Sequence, residues 1–85
     1  MASPGQDEAT ALARAALGRE LGVGESDAGE LIRAEPVDWP NPSLGCPRKG
    51  MVYLQVVTPG WRLTFRVEGR EWRVHVGGGR AIVCP

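Results

Sequence analysis

Three consecutive segments in the C-terminal part of the chain alternate apolar and polar residues, which is the pattern of strands with one buried face. They are residues 51–57, 61–67 and 72–76. Turn-forming sequences separate them, Thr58-Pro59-Gly60-Trp61 and Glu68-Gly69. The pattern predicts an antiparallel meander whose apolar face needs one cover. The sheet residues expected to face that cover are Val52, Leu54, Val56, Leu63, Phe65, Val67, Trp72 and Val74.

An amphipathic segment near the N-terminus is suited to be that cover. Ser3 and Pro4 are a favourable N-cap and first helical residue, and Gly22 is a favourable left-handed residue after the last turn. Between them a narrow stripe of alanine and leucine recurs at spacings of three and four, which suits close packing on a sheet. We therefore predict a helix over about residues 4–21 and an α+β fold, with this helix on a four- or five-stranded antiparallel sheet. The inward helix residues are Leu12, Leu17 and Leu21.

The length of 85 residues is that of one small domain, and we expect residues 1–85 to form it. Residues 30–37 are a further strand candidate, and Pro36 either confines this strand to a sheet edge or ends it. Residues 39–50 hold three prolines and two glycines and predict an irregular loop, so that the sheet proper spans 51–84. No run approaches the roughly 18 apolar residues of a membrane span.

The turns carry information about strand register. Thr58–Trp61 has proline and glycine where a type II turn favours them, so we predict a turn there. A Glu68-Gly69 loop places Arg66 opposite Glu71, whereas a loop shifted by one residue opposes like charges at a cost of some tenths of a kcal/mol. We therefore predict the first register for that hairpin.

The register of the last hairpin, which follows the three glycines at 77–79, stays open from the residues alone. One alignment turns Cys84 inward, beside Val74. The other turns Cys84 outward, diagonal to His75.

Cys46 and Cys84 are the only cysteines, and we predict a disulfide between them. The bond would tie the irregular loop to the last strand and contribute on the order of 4 kcal/mol by the chain-entropy argument. It implies an oxidising compartment or a thermophile. Two free thiols, or a metal or redox pair joined by His75 with or without Asp38, are the alternatives. Because no two of these residues have a tight chelating spacing, we expect no metal ion or other cofactor.

The formal net charge is zero, but residues 1–47 hold three basic and eight acidic side chains and residues 48–85 hold seven and two. A zero net charge argues against a strong global attraction to nucleic acid or to an acidic membrane.

No residue set supplies a nucleophile, a base and an orienting group together. The sequence therefore favours a non-enzymatic binding or interaction module, a monomer or a weak dimer, over an enzyme.

Two surfaces are candidate binding sites. A protein or peptide partner would contact the irregular loop and the turn after it, although the tryptophan of the loop is equally suited to anchoring that loop on the sheet. An anionic ligand would contact the outer face of the sheet, where an aromatic residue stands among cations, as in some binders of single-stranded nucleic acid. A solvated face is the alternative for the second surface. The partner-binding candidates are Trp39, Thr58, Pro59, Gly60 and Trp61, and the anion-binding candidates are Tyr53, Arg62, Arg66, Arg73 and His75.

About half of the chain resembles a small uncharacterised bacterial domain. The resemblance lies in Trp39-Pro40-Asn41-Pro42-Ser43-Leu44-Gly45-Cys46-Pro47, followed by Tyr53-Leu54-Gln55, Thr58-Pro59-Gly60-Trp61 and Trp72-Arg73-Val74-His75. The pattern of that domain is Trp-x-Asp/Asn-x-x-Leu-Gly-Cys-Pro, Tyr-x-Gln, Thr-Pro-Gly-Tyr and a near-terminal Cys. Members are often exported, so the resemblance implies an extracytoplasmic mature domain, and it implies no activity.

A looser resemblance is to the cystatins. One helix followed by an antiparallel sheet is similar to the cystatin arrangement, and residues 55–60 are similar to the Gln-Val-Val-Ala-Gly hairpin that enters cysteine-protease clefts. This resemblance implies a protease inhibitor that uses the Gln55–Gly60 hairpin, as an alternative function.

Overall fold

The computed structural model describes residues 5–84, which form one helix and a four-stranded antiparallel sheet. The strands lie in the order β1-β2-β3-β4, so each pairs with its neighbour in the chain. The predicted α+β fold, a helix on an antiparallel meander, is confirmed. In chain order the elements are α1 (Gln6–Leu21), a short 3₁₀ turn (Glu25–Asp27), β1 (Glu30–Trp39), β2 (Thr58–Val67), β3 (Arg70–Gly77) and β4 (Arg80–Cys84).

The helix ends as its sequence predicts. Gly22 follows the last helical residue with φ 72°, and its backbone N–H donates to the carbonyl of Gly18. Glycine reaches this left-handed conformation without the steric cost of a Cβ. At the other end the helix begins at Gln6 after Gly5, whereas the predicted cap residues Ser3 and Pro4 lie outside the described residues.

The hydrophobic core lies between α1 and the face of the sheet formed by β2, β3 and β4. The helix contributes mainly small residues, which let its backbone approach the strands closely, and the sheet contributes the larger ones. Leu12, Leu21, Val67 and Trp72 pack at the margin and are partly buried. The fully buried residues at the centre are Ala9, Ala13, Leu17, Ala28, Leu63, Phe65, Val74 and Val76.

The prediction of a strand over residues 51–57 is wrong. This segment forms no ladder, and Val52, Leu54 and Val56 are 94%, 77% and 51% exposed instead of facing the core. The neighbour of β2 is β1, which pairs with it over the whole length from Glu30 to Trp39. Both segments show the alternation of a strand, but β1 pairs nine residues with β2, with a bulge at Ile32, whereas residues 51–57 offer seven at most. As β1 is the edge strand of the sheet, Pro36 is tolerated in it.

The predicted turn at Thr58–Trp61 is also wrong, because these residues are the first four of β2. Pro59 lies one position beyond the last β3 partner of β2, so pairing with β3 does not require the N–H that proline lacks. Gly60 is opposite Gly77, and a Cβ on Gly60 would collide with the carbonyl of Val76. Glycine is therefore needed here for a close approach of two strands and not for a turn.

The β2–β3 hairpin has the predicted register. Phe65 is opposite Trp72 and Arg66 is opposite Glu71, with 3.7 Å between Arg66 Nη2 and Glu71 Oε2. The two loop residues Glu68 and Gly69 both have positive φ, which matches the twist of the flanking strands.

The β3–β4 hairpin closes through Gly78 and Gly79, with φ values of 57° and 75°. This two-residue loop places Cys84 opposite Arg73, on the outer face of the sheet and diagonal to His75. The register that the sequence leaves open is therefore the one that turns Cys84 outward. None of the helices within residues 5–84 is long and apolar enough to cross a membrane.

Candidate functional site

Trp39, the last residue of β1, anchors the irregular loop on the outer face of the sheet. It is only 3% exposed, and its ring stacks on that of His75 with 4.5 Å between the ring centroids. Its Nε1–H donates to the carbonyl of Val76 over 3.0 Å. Of the two roles that the sequence allows, an anchor or an exposed contact, the structure therefore places Trp39 in the first.

The loop after β1 turns sharply at Leu44 and Gly45, which both have positive φ, 56° and 75°. Such a conformation is uncommon for leucine and persists only where its surroundings hold it. The Leu44 side chain is buried, and a Cβ on Gly77 would lie 2.9 Å from its Cδ2. A Cβ on Gly45 would lie 2.8 Å from the ring of Trp39, so this turn fits closely over the tryptophan.

The turn aims the carbonyl of Leu44 at His75. His75 Nδ1 lies 2.6 Å from that oxygen and 3.4 Å from Cys46 Sγ. Because a carbonyl only accepts, the imidazole donates from Nδ1, and Nε2 keeps the lone pair. Burial lowers the pKa of His75 below 6.5, and the charges of Arg62 and Arg73 lower it further, whereas the bond to Leu44 opposes the shift. His75 is therefore the neutral tautomer at neutral pH.

A disulfide joins Cys46, in the loop, to Cys84, at the end of β4, with 6.0 Å between the Cα atoms. The bond fastens the loop over the sheet and joins two residues that are 38 positions apart in sequence. The two sulfurs and a ring nitrogen of His75 all lie within 4.8 Å of one another. Three of the four residues in the alternative metal arrangement thus converge, while Asp38 is exposed on β1 and is not in this group among residues 5–84.

A groove of about 530 Å³ opens beside the disulfide. Three arginines line it, Arg48 from the loop, Arg62 from β2 and Arg73 from β3, and no acidic side chain does. The guanidinium of Arg62 lies over the ring of Trp39, with 5.7 Å between Cζ and the ring centroid. Within residues 5–84 no ion pair involves these three arginines. The groove therefore presents positive charge, with no acidic side chain in its lining, beside a buried, neutral histidine.

The structure divides the predicted anion-binding set. Arg62, Arg73 and His75 line the groove together. Arg66 is not part of the lining and pairs with Glu71 instead. Tyr53 is not on the sheet, because its segment is not a strand, and its hydroxyl accepts from the backbone N–H of Arg48 over 2.9 Å.

Sequence reasoning missed Arg48, because its place in the groove depends on how the loop folds and no local pattern reports that. Thr64 lies between Arg62 and Arg66 on the outer face and is only 3% exposed, so this face is not solvated throughout.

The predicted partner-binding set does not form an exposed tip. Trp39, Thr58 and Gly60 are buried, and Pro59 and Trp61 are half-buried on β2. The Gln55–Gly60 hairpin that a cystatin-like inhibitor requires is not formed either, since this segment runs directly into β2.

Comparison with known proteins gives a family and no activity. A family model described as a domain of unknown function, DUF8738, matches residues 10–84. Neither the curated proteins nor the solved structures include a significant match to the chain.

Proposed function

The chain belongs to this family of domains of unknown function, and we propose that it is a non-enzymatic binding module that holds a small anionic ligand in the groove beside the Cys46–Cys84 disulfide. The observation that carries the proposal is the convergence of Arg48, Arg62 and Arg73 on one groove without a carboxylate. Like charges gathered in this way repel one another, and an anion relieves that repulsion.

The residue type and its support favour a ligand with a carboxylate, phosphate or sulfate group. A guanidinium presents a planar fork of N–H donors that matches two oxygens of such a group, and it is always charged. Arg62 is held over the ring of Trp39, which is itself buried, so part of the entropy cost of ordering this long side chain is already met. The groove thus offers a donor that is oriented in advance.

The dimensions and the charge favour a small ligand over a nucleic acid strand. A volume of about 530 Å³ lies within the range of small-molecule pockets, roughly 300–1,000 Å³. A strand of nucleic acid needs a basic track along many phosphates, and the net charge of this chain is zero.

The chemistry available at the groove supports binding over catalysis. The Nδ1 of His75 is occupied by the Leu44 carbonyl, and both cysteines are bonded to each other, so neither sulfur is a free nucleophile. The hydroxyl of Ser43, a buried residue of the same loop, does not line this groove and therefore supplies no nucleophile there. An extracytoplasmic location accords with the disulfide, because such bonds persist in oxidising compartments.

A charge-matched pair of variants tests the proposal. Citrate and inorganic phosphate are titrated into the oxidised protein by calorimetry, and Trp39 Nε1–H is followed by NMR. We expect Arg62→Gln and Arg73→Gln each to weaken citrate binding at least about tenfold, since charged hydrogen bonds contribute about 1.5–3 kcal/mol. Arg70→Gln is the control: it removes the same charge from a side chain that lies over Trp72, away from the groove.

The salt dependence sharpens the test. Binding through exposed arginines weakens steeply as ionic strength rises from 0.05 to about 0.5 M, because counterions screen the charges. Equal affinity in Arg62→Gln, Arg73→Gln and Arg70→Gln, or no response to salt, would refute an anion site in this groove.

A second candidate, a protein partner, is favoured by one observation. Residues 51–57 run with no strand partner among residues 5–84 and expose five apolar side chains in a row of seven residues. An exposed apolar segment that is not part of a sheet can add to the edge strand of another polypeptide. Such a complex would persist in high salt and would be lost on Leu54→Asp, an outcome opposite to that expected for the groove.

A further inference from the structure

We propose that reduction of the Cys46–Cys84 disulfide creates a zinc-type metal site whose protein ligands are Cys46 Sγ, Cys84 Sγ and His75 Nδ1. The site is independent of the anion proposal, because it uses the disulfide and the histidine rather than the arginines.

The spacing of the three groups fits one tetrahedral ion. With Zn–S near 2.3 Å and Zn–N near 2.05 Å, the edges of a tetrahedron are about 3.8 Å between sulfurs and about 3.6 Å between sulfur and nitrogen. His75 Nδ1 is already 3.4 Å from Cys46 Sγ, and the two sulfurs and a ring nitrogen of His75 all lie within 4.8 Å of one another. The site requires two changes: the two sulfurs must separate once their bond is broken, and His75 Nδ1 must leave the Leu44 carbonyl.

The fold allows that separation. His75 and Cys84 are diagonal neighbours on β3 and β4, so the sheet fixes their relative positions. Cys46 lies in the loop, which is not part of the sheet and can carry its sulfur outward. Two of the ligands therefore lie on paired strands and one lies on a loop. Metal binding would require movement of the loop alone.

The conversion balances as follows. A dithiol reductant transfers two electrons and two protons to the disulfide and leaves as its own disulfide, so that Cys46 and Cys84 become thiols. Zn²⁺ then displaces both thiol protons to solvent, and the two thiolates cancel its charge. The arginines of the groove therefore face no net positive charge at the metal centre.

His75 changes its tautomer in this step. Ligation by Nδ1 requires that the proton move to Nε2 and that the Leu44 carbonyl give up its hydrogen bond. A metal–nitrogen bond replaces that hydrogen bond. The fourth position of the ion faces the groove, which borders all three ligand residues, and is open to water or to an anion.

Cobalt(II) titration of the full chain tests the site. The protein is reduced with a dithiol, freed of it under anaerobic conditions, and titrated with Co²⁺. We expect one Co²⁺ per chain, with thiolate-to-cobalt absorption in the near ultraviolet, the visible bands of four-coordinate cobalt, and displacement by Zn²⁺. The oxidised chain, Cys46→Ser and Cys84→Ser should lack these bands, while Arg70→Gln should retain them.

The imidazole provides a readout that needs no variant. His75 is the only histidine, so its ¹⁵N signals are identified without ambiguity. We expect stoichiometric Zn²⁺ to shift the Nδ1 resonance and to place the proton on Nε2. An unshifted His75 in a chain that has bound zinc would remove the histidine from the ligand set and overturn the proposal.

Far-ultraviolet circular dichroism covers the case in which the reduced chain unfolds. If it does, zinc should restore the spectrum of the oxidised protein, because binding to the assembled site stabilises the folded state. No metal uptake by a folded reduced chain, no recovery by an unfolded one, or one metal per two chains would each overturn the proposal.

Discussion

Replacing both cysteines in Cys46→Ala/Cys84→Ala should cost about 4 kcal/mol of unfolding free energy. The bond links residues 38 apart, and the chain-entropy treatment gives that value for a closed loop of this length. A domain of this size has a stability of roughly 4–13 kcal/mol in total. The substitution therefore removes a large fraction of the unfolding free energy. It also removes two sulfur atoms from the contact between the loop and the outer face of the sheet.

The structure explains why the full cost should appear. Residues 40–57 join no ladder of the sheet. Besides the disulfide, they are attached through the buried side chain of Leu44, through the hydrogen bond from His75 Nδ1 to the Leu44 carbonyl, and through Arg80, whose Nη2 donates to the carbonyl of Pro42 over 2.7 Å. Without the bond these few contacts must order a long stretch of backbone unaided, at about 1–2 kcal/mol per residue.

Guanidinium denaturation measures the unfolding free energy and thermal denaturation the melting temperature, both followed by tryptophan fluorescence. The wild type, the double variant and the reduced wild type are compared in the presence of a metal chelator. We expect the melting temperature to fall by about 15–30 °C, at 4–8 °C per kcal/mol for a domain of this size. The reduced wild type is the control for side-chain loss and should match the double variant. A loss below about 1 kcal/mol in both would refute the reasoning, since the loop would then be ordered without its cross-link.

Three further stability effects are expected from the way the loop packs on the outer face of the sheet. Gly77→Ala should lower stability by about 1–3 kcal/mol in denaturant, because its Cβ would lie 2.9 Å from Leu44 Cδ2 and 3.2 Å from the Trp39 ring; an unchanged midpoint would contradict this packing. Trp39→Phe should cost about 1–3 kcal/mol and deprotect nearby amides in hydrogen exchange, because the Val76 carbonyl loses its side-chain donor. Leu54→Asp should change the unfolding free energy by no more than about 0.5 kcal/mol, and a larger loss would show that residues 51–57 are buried.

Elements specified by contiguous residues were predictable. The helix ends where Gly22 adopts a left-handed conformation, and the β2–β3 hairpin closes where Glu68 and Gly69 supply two positive φ values. The charge pair Arg66 and Glu71 selected between two registers of that hairpin. Each of these features depends on interactions among residues a few positions apart, so a short stretch of sequence contains the whole cause.

The neighbour of β2 was not predictable from alternation. A period of two shows that a segment can bury one face, but it does not show which other segment completes the sheet. Residues 51–57 satisfy the pattern and are nevertheless mostly exposed, because β1 pairs with residues 58–66 of β2 from a greater distance in sequence. Competition between two pairings is decided by the total of backbone bonds and burial over the whole sheet.

By itself, the sequence predicted the helix and the β2–β3 register, limited β1 to a sheet edge or to an end at Pro36, and favoured a bond between the two cysteines. Only the tertiary structure decided that the loop after β1 covers the outer face of the sheet. This packing brings together four side chains in one groove: Arg48, Arg62, Arg73 and His75. These side chains come from a loop and two strands, so their convergence depends on the fold of the loop over Trp39. The physical reason is that a turn is a local minimum of the backbone, whereas a site assembled from distant segments exists only after packing has placed them together.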